Sequence, residues 1–248
     1  MRNMRLVLSY DGTDFSGWQV QPDTANIQGT LALAIGRITG ENVLPQGSGR
    51  TDAGVHALAQ VATFVTASPI PSNNFVKALN DCLPASIRVL EAAEVPENFH
   101  ARKSARRKTY RYRIYRGNIC PPFLARYVWH CPYTLDEDAM AEAAKFILGE
   151  HDFTSFAAVD PERGVREASN VRKIFSSLWK RDGEEFIYTV EGNGFLHHMV
   201  RNLVGTYLLV GKGTWQPAYV GKVLEARSRS AAGATAPASG LWLVRVEY

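Results

Sequence analysis

The stretch that decides the start of the fold is Met4-Arg-Leu-Val-Leu-Ser-Tyr10, which reads as a strand and runs into the turn-rich Asp11-Gly12-Thr13-Asp14. Apolar residues then recur at helical spacing, and Gly40 follows them as a helix stop. The apolar face of this predicted helix consists of Ile27, Leu31, Ala34, Ile35 and Ile38.

Three further strands and one more helix are expected in this half of the chain. The strands cover residues 42–46, 58–65 and 87–95. The helix between the last two is predicted to start with Ser72 as its cap and to end before Pro84. The resulting order, βαββαβ, is that of a ferredoxin-like unit.

The second half of the chain repeats this order of elements. A strand over residues 109–116 places Tyr110 and Tyr112 on one face, because successive side chains of a strand alternate. The segment Thr134-Leu135-Asp136-Glu137 has the capping-box pattern and predicts a helix that ends before Gly149.

The remaining elements are strands over 171–179 and 186–191, a helix over 196–208, a shorter helix from Pro217 and a strand over 241–247. We therefore expect an α+β protein in which two ferredoxin-like units pack around a central cleft. The predicted domains cover residues 1–103 and 104–248.

Positive charge is concentrated at the predicted domain junction. Eight of the 28 Lys and Arg residues fall within fifteen positions that contain no acidic residue, and such a cluster suits a polyanionic partner. We call these eight residues the basic stripe: Arg102, Lys103, Arg106, Arg107, Lys108, Arg111, Arg113 and Arg116.

Cysteine usage and hydropathy exclude other classes. Cys82, Cys120 and Cys131 form no Cys-x-x-Cys pair and have no zinc-like spacing to histidines, so we expect neither a disulfide nor a metal site. There is no apolar run of the roughly 20 residues that span a bilayer, and the first ten residues lack a signal-peptide pattern. A cytoplasmic protein without membrane contact is expected.

The segment Gly47-Ser-Gly-Arg-Thr-Asp-Ala-Gly-Val-His56 interrupts the first unit between its second and third strands. Its glycines permit a tight backbone path, and its small residues let another molecule approach closely. It contains one carboxylate, Asp52, with Arg50 two residues earlier. The ordinary alternative is a structural turn in which Asp52 accepts backbone N–H bonds and Arg50 is solvated.

This segment closely resembles the catalytic loop of the tRNA pseudouridine synthase A family, in which the aspartate is the nucleophile. Further motifs resemble that family in the same order along nearly the whole chain. They are Tyr10-Asp11-Gly12, Phe15-Ser16-Gly17-Trp18-Gln19, Phe99-His100-Ala101-Arg102, Tyr110-Arg111-Tyr112, Asp152–Phe156, His197–Asn202 and Gly240–Val244. The segment between Val159 and Asn170 is poorly matched.

The resemblance implies the pseudouridine synthase fold, a homodimer formed through the C-terminal domain, and a transfer RNA substrate. The implied targets are neighbouring uridines at positions 38, 39 and/or 40, on the 3′ side of the anticodon loop and stem. No cofactor is implied, because an isomerisation balances atoms and electrons by itself. The sequence does not distinguish attack of Asp52 on C6 of the base from interaction with C1′ of the sugar.

Asp52 has to be ionised in either mechanism. Burial disfavours a charged carboxylate, whereas a cation within ~4–6 Å favours it, so an arginine partner is required. Arg50 and Arg201 are the candidates, and the family places an arginine on the late helix at the position of Arg201. Arg50 then suits a phosphate or the flipped nucleotide.

Substrate binding is assigned to the remaining matched residues. Tyr110 is expected to stack on the target uracil, a contact worth about 1–3 kcal/mol per base, while Tyr112 is expected in the core. His56, Arg102 and Arg107 are expected near the substrate, with the basic stripe on phosphates.

Two other functions compete with this interpretation. A non-catalytic RNA-binding protein built on ferredoxin-like sheets would explain the charge but not the Asp52 loop. A glycosidase usually needs two carboxylates that flank one bond, and the loop contains one. Loss of turnover in an Asp52 variant argues against the first, and release of free uracil would support the second.

Overall fold

The computed structural model describes residues 1–159 and 169–248. These residues form two compact units: unit 1 combines Met1–Arg106 with Trp242–Tyr248, and unit 2 is Arg107–Leu241. The predicted α+β class is confirmed, since both units contain helices and strands. None of the helices within the described residues is long and apolar enough to cross a membrane.

The described residues contain ten strands and five α-helices. In order they are β1 (Arg2–Tyr10), α1 (Ile27–Thr39), β2 (Gln46–Gly47), β3 (His56–Thr66), α2 (Ser72–Cys82), β4 (Ile87–Val95), β5 (Arg107–Tyr115), β6 (Trp129–His130), α3 (Glu137–Ala143), β7 (Gly149–Asp152), β8 (Val171–Asp182), β9 (Glu185–Gly192), α4 (Met199–Gly211), α5 (Tyr219–Ala226) and β10 (Leu241–Glu247).

Unit 1 follows the predicted order βαββαβ. Strand β1 is the central strand and pairs antiparallel with β3 on one side and β4 on the other. Its alternate residues Met4, Leu6 and Leu8 are fully buried, as are Leu31 and Phe75 from the two helices. Each such side chain contributes roughly 1.5–3 kcal/mol by leaving water, so the helices are held on one face of the sheet.

The outer edge of β3 is shared by two short pairings. The β2 residue Gly47 pairs antiparallel with Ala62, and Trp242 of β10 pairs in parallel with His56. The predicted strand over residues 42–46 is therefore wrong except for its last residue. Pro45 has no N–H to donate to a ladder, which prevents regular pairing before Gln46.

The ends of α1 are formed by capping residues that are typical of helices, whereas the start of α2 differs from the prediction. Asn26 accepts a hydrogen bond from the Gly29 N–H at 2.8 Å and begins α1, and Gly40 ends it with φ 74°, as predicted. In contrast, Ser72 is the first residue of α2 and not its cap. The cap position is held by Pro71, whose ring suits the start of a helix.

Unit 2 contains an antiparallel sheet in the order β5-β9-β8-β7, with β6 parallel to β5. Its core is aromatic and includes the fully buried side chains of Tyr112, Tyr188, Tyr207, Phe153 and Phe156. The expected burial of Tyr112 is confirmed, and its hydroxyl group donates to the Pro237 carbonyl at 2.7 Å.

Several boundaries in the second half differ from the prediction. The cap of α3 is Asp136, which accepts from the Ala139 N–H at 2.8 Å, so the predicted capping box led by Thr134 is wrong. Strands β6 and β7 were not predicted. Strand β10 has the predicted bounds, but its pairing with β3 places residues 242–248 in unit 1, whereas the sequence assigned them to the second domain.

Candidate active site

Asp52 lies on the loop that joins β2 to β3, and its side chain is half-buried. The Val55 N–H donates to the Asp52 carbonyl at 3.1 Å and closes a tight turn. Gly54 adopts φ 76° inside that turn, in the left-handed region that suits glycine. The loop therefore presents the carboxylate from a short turn with a defined backbone path.

A second segment, residues 12–18, packs directly beneath this loop. The Trp18 N–H donates to the Thr51 carbonyl at 2.9 Å, and the Gly54 N–H donates to the Phe15 carbonyl at 3.4 Å. Gly17 has φ 92°, and a Cβ atom there would lie 2.6 Å from the Thr51 carbonyl oxygen. The two segments can approach this closely only because position 17 has no side chain.

Tyr10 supports the residue that precedes Asp52. Its hydroxyl group lies 2.8 Å from Thr51 Oγ1, and both side chains are buried. Burial raises the pKa of Tyr10 to about 12, although its hydrogen bonds with Thr51 and Gln60 act in the opposite direction. The phenol is therefore neutral at physiological pH and available for both donating and accepting.

His56 ends the loop and is fully buried. Its Nδ1 atom accepts a hydrogen bond from the Gly12 N–H at 3.1 Å and lies 3.2 Å from Asp11 Oδ1. The first contact requires an unprotonated Nδ1, whereas an ion pair with Asp11 requires a protonated one, so the two are alternatives. The ring also stacks on Trp242, with centroids 4.5 Å apart. Its assignment to substrate binding stays a prediction.

Arg50 is exposed on the same loop, two residues before Asp52. Its Nε donates to Gln19 Oε1 at 3.2 Å. Its guanidinium is accessible from solvent, as a group that binds a phosphate would have to be.

Arg201 lies in unit 2, in the first turn of α4, and is half-buried. Its Nε donates to the Ala236 carbonyl at 2.8 Å, and the Ala236 N–H donates back to the Arg201 carbonyl at 3.1 Å. Burial raises the pKa of Tyr112 well above its ordinary value, and the positive charge of Arg201 acts in the opposite direction. The side chain is thus oriented by the loop before β10 and is not a freely solvated charge.

Tyr110 lies on β5 in unit 2, and only 8% of the residue is exposed. It packs edge-to-face with Phe195, with ring centroids 5.0 Å apart. The predicted alternation of the strand is confirmed, because Tyr110, Tyr112 and Ile114 are all buried. The assignment of Tyr110 to uracil stacking stays a prediction.

Several arginines of the basic stripe form ion pairs with glutamates of the same chain, whereas Arg102 is exposed. Arg113 makes a bidentate ion pair with Glu185, at 2.6 Å for each hydrogen bond. Arg107 contacts Glu191 at 3.0 Å. Arg116 likewise contacts the carboxylate of Glu137, while Arg102 is exposed and its backbone N–H donates to His100 Nδ1. Part of the predicted positive charge is therefore balanced inside the protein.

Sequence comparison defines the class of the protein to which these residues belong. The sequence model of the family described as tRNA pseudouridine synthase matches residues 6–102 and 143–248, and the chain belongs to this family. The predicted family and its fold class are thereby confirmed.

Individual relatives support the same assignment. The chain is 52% identical over 248 residues to tRNA pseudouridine synthase A of Solibacter usitatus (strain Ellin6076), with 100% of both chains covered. It is 46% identical over 248 residues to tRNA pseudouridine synthase A of Brevibacillus brevis (strain 47 / JCM 6285 / NBRC 100599), again with 100% of both covered.

A solved structure of a Cbf5-Nop10-Gar1 complex contains a chain that is 12% identical, with a TM-score of 0.40. The alignment covers 96% of this chain and spans 57% of that chain.

Sequence reasoning missed the residues that hold the Asp52 loop. Tyr10 and Trp242 lie in motifs that resemble the family, but the sequence pattern indicates only a strand residue and a terminal motif for them. A detectable signal was Gln60, an amide in the otherwise apolar run Ala57-Leu-Ala-Gln-Val-Ala62. A buried amide needs hydrogen-bond partners, which indicates a specific contact across the strand.

Proposed function

We propose that this protein isomerises uridine to pseudouridine at positions 38, 39 and/or 40 in the anticodon stem and loop of transfer RNA, with Asp52 as nucleophile and without a cofactor. The N-glycosidic bond to uracil breaks, the base turns, and C5 forms a new bond to the sugar. The proton on C5 leaves and one is gained at N1, so atoms and electrons balance.

The observation that carries this proposal is the setting of Asp52. It is the sole carboxylate of a glycine-rich loop, half-buried and fixed by backbone hydrogen bonds to residues 12–18. A nucleophile has to be held within a fraction of an ångström of its productive position, and a loop pinned in this way satisfies that requirement. A solvated surface turn would not need such close backbone contacts.

Roles for the other predicted residues form part of the proposal. Arg201 supplies the guanidinium that favours ionisation of the carboxylate, and its orientation by Ala236 supports such a role. Tyr110 contacts the target uracil. Arg50, Arg102 and Arg107 contact the RNA backbone, and His56 lies behind the loop. We further propose a cytoplasmic homodimer with its contact in the C-terminal domain, residues 104–248.

The decisive experiment incubates unmodified transfer RNA transcripts with the protein and maps pseudouridine at single-nucleotide resolution. We expect modification at positions 38, 39 and/or 40 with the wild-type protein and none with Asp52→Asn. The matched control is Asp81→Asn, which removes the charge of an exposed aspartate on α2 and should leave turnover unchanged. Transfer RNA binding by Asp52→Asn should persist.

Three outcomes would contradict the proposal. Turnover by Asp52→Asn would contradict the assignment of Asp52 as nucleophile. Modification only outside the anticodon arm would contradict the assigned target positions. Release of free uracil would indicate hydrolysis. Sedimentation of the protein as a monomer would contradict the dimer but not the activity.

A further inference from the structure

A buried hydrogen-bond network connects the interior of unit 1 to both sides of Arg50. Gln60, in the middle of β3, is fully buried. Its Nε2 atom donates to the Gly49 carbonyl at 2.9 Å and lies 3.5 Å from the Tyr10 hydroxyl. Its Oε1 atom accepts from Ser48 Oγ at 2.6 Å. One amide thus contacts two consecutive loop residues and the tyrosine below them.

The same network reaches the residue next to Asp52. The hydroxyl group of Tyr10 is 2.8 Å from Thr51 Oγ1, and the Thr51 side chain is buried. Residues 48, 49 and 51 are therefore all tied to side chains of two neighbouring strands, and Arg50 is the loop residue between these attachments. The attachment points lie on rigid strands and not on other loops.

We infer that Tyr10 and Gln60 are positioning residues, which hold the loop so that Asp52 keeps its reactive orientation. This inference rests on the proposed function of Asp52. Its physical basis is that burial of a phenol hydroxyl and an amide is unfavourable unless each is hydrogen-bonded, so each has a strong preference for the loop conformation that provides its partners. Removal of one partner changes the orientation of the loop without touching the reacting atoms.

Two features distinguish this role from ordinary core packing. First, the backbone bonds from Trp18 to Thr51 and from Ser48 to Val61 already retain the loop near the sheet. The side-chain network is therefore not needed for attachment and acts on orientation. Second, the network ends on the residue directly before Asp52, where a small rotation of the backbone moves the carboxylate most.

Unit 2 offers a matched control for removal of the Tyr10 hydroxyl. Tyr188 is also buried, and its hydroxyl group lies 2.8 Å from a neighbouring hydroxyl, that of Ser177. Burial raises its pKa to about 12, as for Tyr10. Tyr188→Phe therefore removes a chemically equivalent hydrogen bond that lies within unit 2.

The test compares single-turnover pseudouridine formation on a transfer RNA transcript by the wild type, Tyr10→Phe and Tyr188→Phe. We expect Tyr10→Phe to lower the rate at saturating enzyme by about tenfold to a hundredfold, the scale of a misplacement near 1 Å. Its Kd for the transcript should stay within about twofold. Tyr188→Phe should lower the melting temperature by about as much as Tyr10→Phe does, but it should leave the rate unchanged.

Two variants of Thr51 give a measurement that does not depend on the folding of Tyr10→Phe. Thr51→Val removes the hydroxyl and should reproduce the loss of rate, whereas Thr51→Ser retains it and should restore most of the rate. In the double variant with Tyr10→Phe, Thr51→Val should add little, because both changes break the same bond.

The outcomes separate this inference from the proposed function. If the wild type forms no pseudouridine, or if Asp52→Asn remains active, the proposed function fails. If the wild type is active and depends on Asp52, but Tyr10→Phe or Thr51→Val reacts as fast as Tyr188→Phe, the positioning role is overturned. Equal rates for Thr51→Val and Thr51→Ser would overturn it as well.

Discussion

The imidazole ring of His56 stacks on the indole ring of Trp242, with centroids 4.5 Å apart and planes inclined by 28°. The two residues also pair in parallel between β3 and β10. The last residue of the Asp52 loop is therefore covered by a residue of β10, a strand that follows the whole of unit 2 along the chain.

Trp242→Ala should destabilise the protein by about 2 kcal/mol, because it removes a partly buried aromatic ring and its stacking contact with His56. The measurement is urea unfolding followed by circular dichroism. Trp242→Phe retains a ring and should recover about half of the loss. An unfolding midpoint for Trp242→Ala equal to that of the wild type would contradict a supporting role for the stack.

Gly17→Ala should reduce both stability and turnover. The new Cβ would lie 2.6 Å from the Thr51 carbonyl oxygen, so the loop has to move. Gly40→Ala is the matched control, since Gly40 also has a positive φ but has no atom within 4 Å of the added Cβ. Gly40→Ala should lower the free energy of unfolding by about 1–2 kcal/mol, which is the backbone penalty alone, and turnover should be preserved. Equal kinetic effects of the two changes would refute this explanation.

Salt dependence of transfer RNA binding should separate the members of the basic stripe. Each phosphate contact contributes about 0.7–0.9 to the slope of log K against log salt concentration. Arg102→Gln should reduce the slope by about that amount, because Arg102 is exposed. Arg113→Gln should leave it unchanged, because Glu185 already neutralises this guanidinium. A reversed order would show that the ion pair opens on binding.

Glu41 should contribute to stability in a manner that depends on pH. It accepts hydrogen bonds from the Thr66 hydroxyl and from the Ala67 N–H at 2.8 Å, and these bonds, that of Thr66 first, hold the pKa of Glu41 below its ordinary value. The stabilisation is therefore complete above the unfolded pKa of about 4.3 and is lost as the pH falls through the lower folded value.

Urea unfolding of the wild type and of Glu41→Gln from pH 7 to pH 3 measures this effect. The difference between their midpoints should be constant at neutral pH and shrink under acidic conditions. Parallel curves over the whole range would contradict it.

The regular elements of unit 1 could be predicted because their signals are local. The helix from Ile27 stops at Gly40, and the strands over 87–95 and 241–247 have the predicted bounds, since hydrophobic periodicity and breaker residues act over a few positions. The strands β6 and β7 contain two and four residues, which is too short for any periodicity to appear. They form only because β5 and β8 offer edges to them.

In the candidate site, too, local features could be predicted from the sequence and contacts between distant residues could not. The Asp52 loop could be found because a glycine-rich segment with one carboxylate resembles a known family over a contiguous stretch. The contacts of Gln60 with Gly49 and of His56 with Trp242 depend on which strands become neighbours, and that pairing is not local. The charge balance of Arg113 by Glu185, 72 positions away, could not be predicted for the same reason. The poorly matched segment between residues 159 and 170 lies largely outside the described residues.

The pairing of β10 with β3 has a consequence for biosynthesis. Domains usually begin to fold during translation from the N-terminus, as soon as their residues leave the ribosome. Here β10 follows the whole of unit 2 along the chain, so the nascent N-terminal part carries its loop without the Trp242 cover until unit 2 has been synthesised. A ribosome that stalls before codon 242 would leave a product in which the Asp52 loop is present but His56 is not yet covered by Trp242.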